Sequence, residues 1–181
     1  MNHLPGPIQL ALAALVLIAA AFDIRYRKIP NWLVLTGLLT GLSLSFALLS
    51  AQGLKDSVLG AALAFAVYFP LFALRAMGDG DLKLMVAVAS FTGPLNWITL
   101  FLITAVLGGV IAVALLLYRG HLGRTLGNVL IVLGELSHLR APYQRNPELD
   151  IAHPGAVRLP HGISIAGGTL LFLVMNYYQT R

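Results

Sequence analysis

Six apolar segments dominate the chain: Ile8–Phe22, Asn31–Leu49, Ser57–Leu74, Leu82–Phe91, Leu95–Tyr118 and Gly162–Tyr178. A membrane-crossing helix needs about 20 predominantly apolar residues, with a usual range of about 17–25. The second, third, fifth and sixth segments meet that length, and the first does so if Leu4–Pro7 contributes. The fourth is short. From Leu82 to Pro94 a helix rises only about 20 Å, against a hydrocarbon core of about 30 Å. Either this helix is shielded by protein, or the loop before it dips into the membrane, where irregular backbone is tolerated if buried or wet. Gly78 and Gly80 suit such a loop, because glycine adopts unusual dihedrals without a Cβ penalty. Composition agrees with a membrane protein: 58% of residues are hydrophobic and 10% charged, where a soluble domain carries about 25% charged. The expected fold is all-α, one membrane-embedded domain over residues 1–181 with about six transmembrane helices.

Charge sets the expected orientation. With the N-terminus outside, the inner loops hold Arg25, Arg27, Lys28, Arg75, Lys83, Arg119, Arg124, Arg140, Arg145 and Arg158. The outer side keeps Lys55 and Arg181 from the same total of 12 basic residues, as the positive-inside rule requires. Met1 to Gln9 holds no Lys or Arg, so the first segment lacks the basic start of a secretory signal and reads as an anchor. The formal charge of +5 belongs to these loops and fits anionic lipid, not nucleic acid. Residues 119–160 form the one sizeable polar connection. Within it, Leu122 to Leu133 has helical apolar spacing and reads as an amphipathic helix on the cytoplasmic surface. Arg140 to Pro160 reads as a loop. Cysteine is absent, which excludes disulfides, thiolate metal sites and a thiol nucleophile.

Two carboxylates stand at segment edges. Asp81 lies in Gly78-Asp79-Gly80-Asp81-Leu82-Lys83-Leu84, and Asp23 ends the first segment. An acid at a membrane segment points to function by default. For Asp79 or Asp81 the plainer alternative is a helix N-cap. For Asp23 it is a helix-end charge paired with Arg27 one turn on. If Asp23 and Asp81 meet, they form an aspartyl dyad. Two adjacent carboxylates do not both ionise easily and share a proton. The ionised member then activates water, and the protonated one polarises a scissile carbonyl. His121, His138, His153 and His161 share one expected side, but no pair has i, i+4 metal spacing. No metal and no cofactor is expected. Gly37, Gly41, Gly60 and Ala64 give small-residue spacing that suits close helix packing. Asn31 and Asn96 read as cap or turn residues.

The chain resembles the bacterial type IV prepilin peptidases, membrane aspartyl proteases of the Gly-x-Gly-Asp class. The resemblance is carried by Asp23 with Arg27-Lys28-Ile29-Pro30-Asn31, by Gly78 to Leu84, and by Leu159-Pro160-His161-Gly162-Ile163-Ser164-Ile165-Ala166-Gly167-Gly168. It implies an inner-membrane, multi-pass endopeptidase that cleaves prepilin or pseudopilin leaders at the cytoplasmic face. Asp23 and Asp81 would be the catalytic pair. Gly78, Asp79, Gly80 and Lys83 would support them, with Asp79 at the variable position of the motif. Larger members carry a cysteine-containing N-terminal domain for N-methylation. This cysteine-free chain is similar to the short branch serving Flp-type, tight-adherence pili, so methyl transfer is not expected. A proton-coupled transporter fits the intramembrane acids too, but requires midplane acids and a repeat. A non-enzymatic pilus or secretion assembly subunit would tolerate loss of Asp81.

Overall fold

The computed structural model describes residues 3–74, 77–119, 134 and 161–178. Its elements are α1 (Gly6–Tyr26), α2 (Asn31–Ala73), α3 (Asp79–Arg119) and α4 (His161–Tyr178), so the described chain is all-helical. Among the described residues, three helices are long and apolar enough to cross a membrane: α1, α2, and α3 through Leu115. The expected surface helix from Leu122 to Leu133 and the loop after Arg140 lie outside the described residues.

Helix α1 begins at Gly6, with Pro5 at its N-cap, so the residues before the first apolar segment do lengthen it. Ile8, Leu12, Leu15, Val16 and Ala19 recur at helical spacing and form its buried stripe. The helix ends at Arg27, which takes a left-handed conformation (φ 50°) and returns its N–H to the Asp23 carbonyl at 2.9 Å. The opposite surface stays apolar, with Leu10 and Leu17 exposed. Leu35, Leu39 and Phe46 on α2 and Val106, Val110 and Leu117 on α3 are also exposed. Helices apolar all round, with half their large side chains facing outward, suit lipid rather than water.

Both long helices break. Ser50 in α2 has φ 59° and ψ −155°, and Gly93 in α3 has φ 68° and ψ 174°. Each break falls between two of the apolar segments read from the sequence. At Gly93 the cause is chemical. Pro94 has no N–H, so the Ser90 carbonyl one turn back loses its helical donor. The Ser57 hydroxyl donates to that carbonyl, and the Ser45 hydroxyl approaches it at 3.4 Å. Two serines from the two halves of α2 thus satisfy a buried carbonyl that α3 itself orphans. Gly60 permits the approach: a Cβ there would fall 2.6 Å from the Ala89 carbonyl oxygen.

The half of α3 before the break is the centre of the bundle. Leu84, Met85, Ala87, Val88, Ala89 and Ser90 are fully buried. The short fourth segment is therefore largely shielded by protein, with Lys83 and Val86 partly exposed on one face. The expectation of unusual backbone at Gly78 and Gly80 is not met. Among the described glycines the positive φ belongs to Gly93, and Gly80 is already helical. Helix α2 packs most extensively on α3, and α4 fills the space between α3 and α1. In α4, Gly168 lies against Thr104 and Ser164 near Gly108, so it runs antiparallel to the second half of α3. Its far end accepts the Leu4 N–H at Asn176 Oδ1, 3.2 Å away. Lipid offers no hydrophobic drive for helix association, so small residues at such seams carry the packing. Asn96, expected at a cap or turn, is buried within α3.

Candidate active site

Asp23 sits on the last turn of α1 and is half-buried. Its Oδ2 accepts the backbone N–H of Gly162, the second residue of α4, at 2.9 Å. The carboxylate thus occupies a helix N-terminus, where free N–H groups and the helix dipole favour negative charge. Only glycine fits this contact. A Cβ on residue 162 would fall 2.7 Å from Asp23 Oδ2 and 2.9 Å from its Cβ. Of the two readings of Asp23, the side chain turns to α4, and it is the backbone that links it to Arg27.

Asp81 is the third residue of α3 and is half-buried. Gly78 lies beside it: a Cβ there would stand 3.4 Å from Asp81 Oδ2, an ordinary contact distance. Gly80 faces the opposite neighbour, Ile29, at the same notional distance. Asp81 lies within electrostatic reach of Asp23 on α1, of His161 at the start of α4, and of Asp79 on its own helix. Three helices thus bring ionisable groups into one neighbourhood.

Asp79 and Lys83 point elsewhere. Lys83 Nζ donates to Asp79 Oδ2 at 2.9 Å and to Asn31 Oδ1 at 3.0 Å. Both side chains of this i, i+4 pair are well exposed. The pair ties the start of α3 to the start of α2, and Asn31 serves as the acceptor at that helix end. Lys83 is thereby engaged at the outer edge of the site.

One residue near Asp81 is absent from the motifs. Tyr68 on α2 is buried, and it also lies within electrostatic reach of Asp81. A sequence signal for it exists. Tyr68 sits inside the third apolar segment, whereas the other tyrosines stand at segment ends or in connections. His161 opens α4 next to the Gly162–Asp23 hydrogen bond.

Two carboxylates on separate helices, one held by a backbone N–H, have the chemistry for general acid–base work on a bound carbonyl and a water molecule. Comparison with known proteins gives a family. The chain is 31% identical over 109 residues to the type 4 prepilin-like proteins leader peptide-processing enzyme of Escherichia coli O78:H11. That match covers 56% of this chain and 40% of the relative. No solved structure matches the chain. A sequence model of the type IV leader peptidase family matches residues 10–113, which include both Asp23 and Asp81. The chain belongs to the type IV leader peptidase family.

Proposed function

We propose that this protein is an aspartic endopeptidase that removes the leader peptide of type IV prepilins, with Asp23 and Asp81 as its catalytic pair. The observation that carries the reading is the convergence of these two acids, from the ends of α1 and α3, within electrostatic reach of each other. The pair holds one proton between them. The ionised carboxylate takes a proton from water as it attacks the scissile carbonyl. The protonated carboxyl donates to the carbonyl oxygen, and later steps return the proton to the leaving amine. No covalent intermediate forms. Which aspartate plays which part belongs to the pair as a unit.

In this proposal α1 and α4 cross the bilayer once, and α2 and α3 cross twice by turning at Ser50 and Gly93. The N-terminus is then outside, in the inner membrane of a bacterium. Asp23, Asp81 and the start of α4 share the cytoplasmic face, where a prepilin presents its basic leader before its apolar helix. The substrate class proposed is the Flp-type, tight-adherence prepilins and related pseudopilins. The cysteine-free chain is proposed to cleave without methylating.

The test is co-expression with Flp-type prepilins, scored by the size shift of the pilin. Wild type produces the processed form and Asp81→Asn does not. Cleavage persisting in Asp81→Asn at normal expression sinks the assignment.

A further inference from the structure

The dyad leaves unexplained the short connection from α1 to α2, Arg27-Lys28-Ile29-Pro30. Its backbone is fixed at both ends. Arg27 is left-handed and returns its N–H to the Asp23 carbonyl at 2.9 Å. Pro30 caps α2, its carbonyl accepting the N–H groups of Leu33 at 3.1 Å and Val34 at 3.3 Å. A residue before proline is pushed to extended backbone, which keeps Ile29 out of the helix that follows.

The side chain of Ile29 turns inward. Arg27 and Lys28 are exposed, whereas Ile29 is 5% exposed. It rests on Gly80: a Cβ there would stand 3.4 Å from the Ile29 Cβ and 3.7 Å from its Cγ1 and Cδ1. Gly80 is the residue before Asp81, in the first turn of α3. Contacts on either side of the connection hold it in place. Phe22, the residue before Asp23, meets Trp32 edge to face, with 6.1 Å between centroids. Asn31 accepts from Lys83 Nζ at 3.0 Å. The connection is thus anchored beside Asp23 at one end and beside Asp81 at the other. Direct packing of α1 on α3 is sparse. Helix α4 supplies one bridge between them, through the Gly162–Asp23 bond; the connection supplies a second.

We infer that Ile29 is a positioning residue for the reaction: seated on Gly80, it sets how far the Asp81 end of α3 stands from the Asp23 end of α1. The inference rests on the peptidase reading above. Truncation of Ile29 leaves a gap over Gly80 and lets the first turn of α3 shift. Reacting groups tolerate little displacement, since about 1 Å costs about 100-fold in rate. Ile29 is buried and offers no surface to a substrate, so the loss falls on kcat.

The test compares Ile29→Val, Ile29→Ala and Asn31→Ala with wild type in the full-length protein. Prepilin cleavage kinetics are measured at equal folded concentrations. The expected result is a kcat lower by at least about tenfold in Ile29→Ala, a smaller loss in Ile29→Val, and an unchanged KM in both. Asn31→Ala changes an exposed hydrogen bond, folds normally and lowers kcat about threefold. A wild-type kcat in folded Ile29→Ala, or a raised KM at constant kcat, overturns the inference while the peptidase reading stands. If Ile29→Ala does not fold, Ile29→Val and Asn31→Ala decide, and a wild-type kcat in both overturns it. If wild type cleaves no prepilin, the peptidase reading fails and the positioning role falls with it.

Discussion

The backbone N–H of Gly162 donates to Asp23 Oδ2 at 2.9 Å, joining the last turn of α1 to the first turn of α4 across 139 residues of sequence. The bond fixes one carboxylate of the proposed pair from outside its own helix. It also explains why a glycine follows His161. Substitution by alanine sets a methyl group 2.7 Å from the bonded oxygen, and the contact opens. A displacement on the order of 1 Å at a reacting group costs about 100-fold in rate. Gly162→Ala is therefore expected to lose cleavage by about that factor while inserting normally. Prepilin processing at matched membrane levels measures it.

Asp79 makes the contrasting case. Its carboxylate pairs with Lys83 at an exposed edge, with Asn31 as the lysine's second partner. Exposed ion pairs contribute about 0–1 kcal/mol. Asp79→Asn is expected to keep cleavage within about threefold of wild type and to change thermal stability in detergent very little. A loss equal to that of Asp81→Asn means that the dyad has been misassigned.

The Ser90 carbonyl gives a stability prediction that leaves the acids untouched. Removing Ser57 alone leaves Ser45 as a longer partner at 3.4 Å. Removing both serines leaves a buried carbonyl without a donor, at a cost of about 1–3 kcal/mol. The double variant Ser45→Ala/Ser57→Ala is expected to lose more stability than the two single variants summed. Thermal unfolding of the four proteins in detergent closes that cycle.

Ser50 holds φ 59° and ψ −155°, a region populated almost only by glycine. Such strain costs on the order of 1–3 kcal/mol. Ser50→Gly is expected to raise unfolding stability by about 1 kcal/mol with unchanged cleavage, the gain offset in part by the extra freedom of glycine when unfolded. A destabilised Ser50→Gly protein indicates that the serine side chain contributes more than its backbone costs.

The sequence makes some of this site legible and hides the rest for physical reasons. Asp23 and Asp81 stand out because an acid is conspicuous at the edge of an apolar segment. The breaks near Ser50 and Gly93 show as interruptions in apolar runs. Gly93-Pro94 also carries its own chemistry, a missing N–H beside a residue free to adopt positive φ. Gly78 and Gly80 misled, because a glycine permits an unusual conformation without requiring one. The Gly162–Asp23 bond is invisible because it depends on how α4 returns to α1. Tyr68 is hidden because its place within electrostatic reach of Asp81 depends on how α2 packs on α3. Lys83 reads as a neighbour of the site by spacing alone. Its actual partners, Asp79 and Asn31, depend on how α2 begins.

The central claim is that Asp23 and Asp81 act as one catalytic unit. The most direct measurement is the single-turnover cleavage rate of a purified prepilin by wild type, Asp23→Asn, Asp81→Asn and the double variant, at equal folded concentrations. Groups that act as a unit are grossly non-additive. The account predicts that each single variant loses at least about 1,000-fold and that the double variant is no slower than either. Substantial cleavage by either single variant, or a double variant slower by the product of the two single losses, contradicts it.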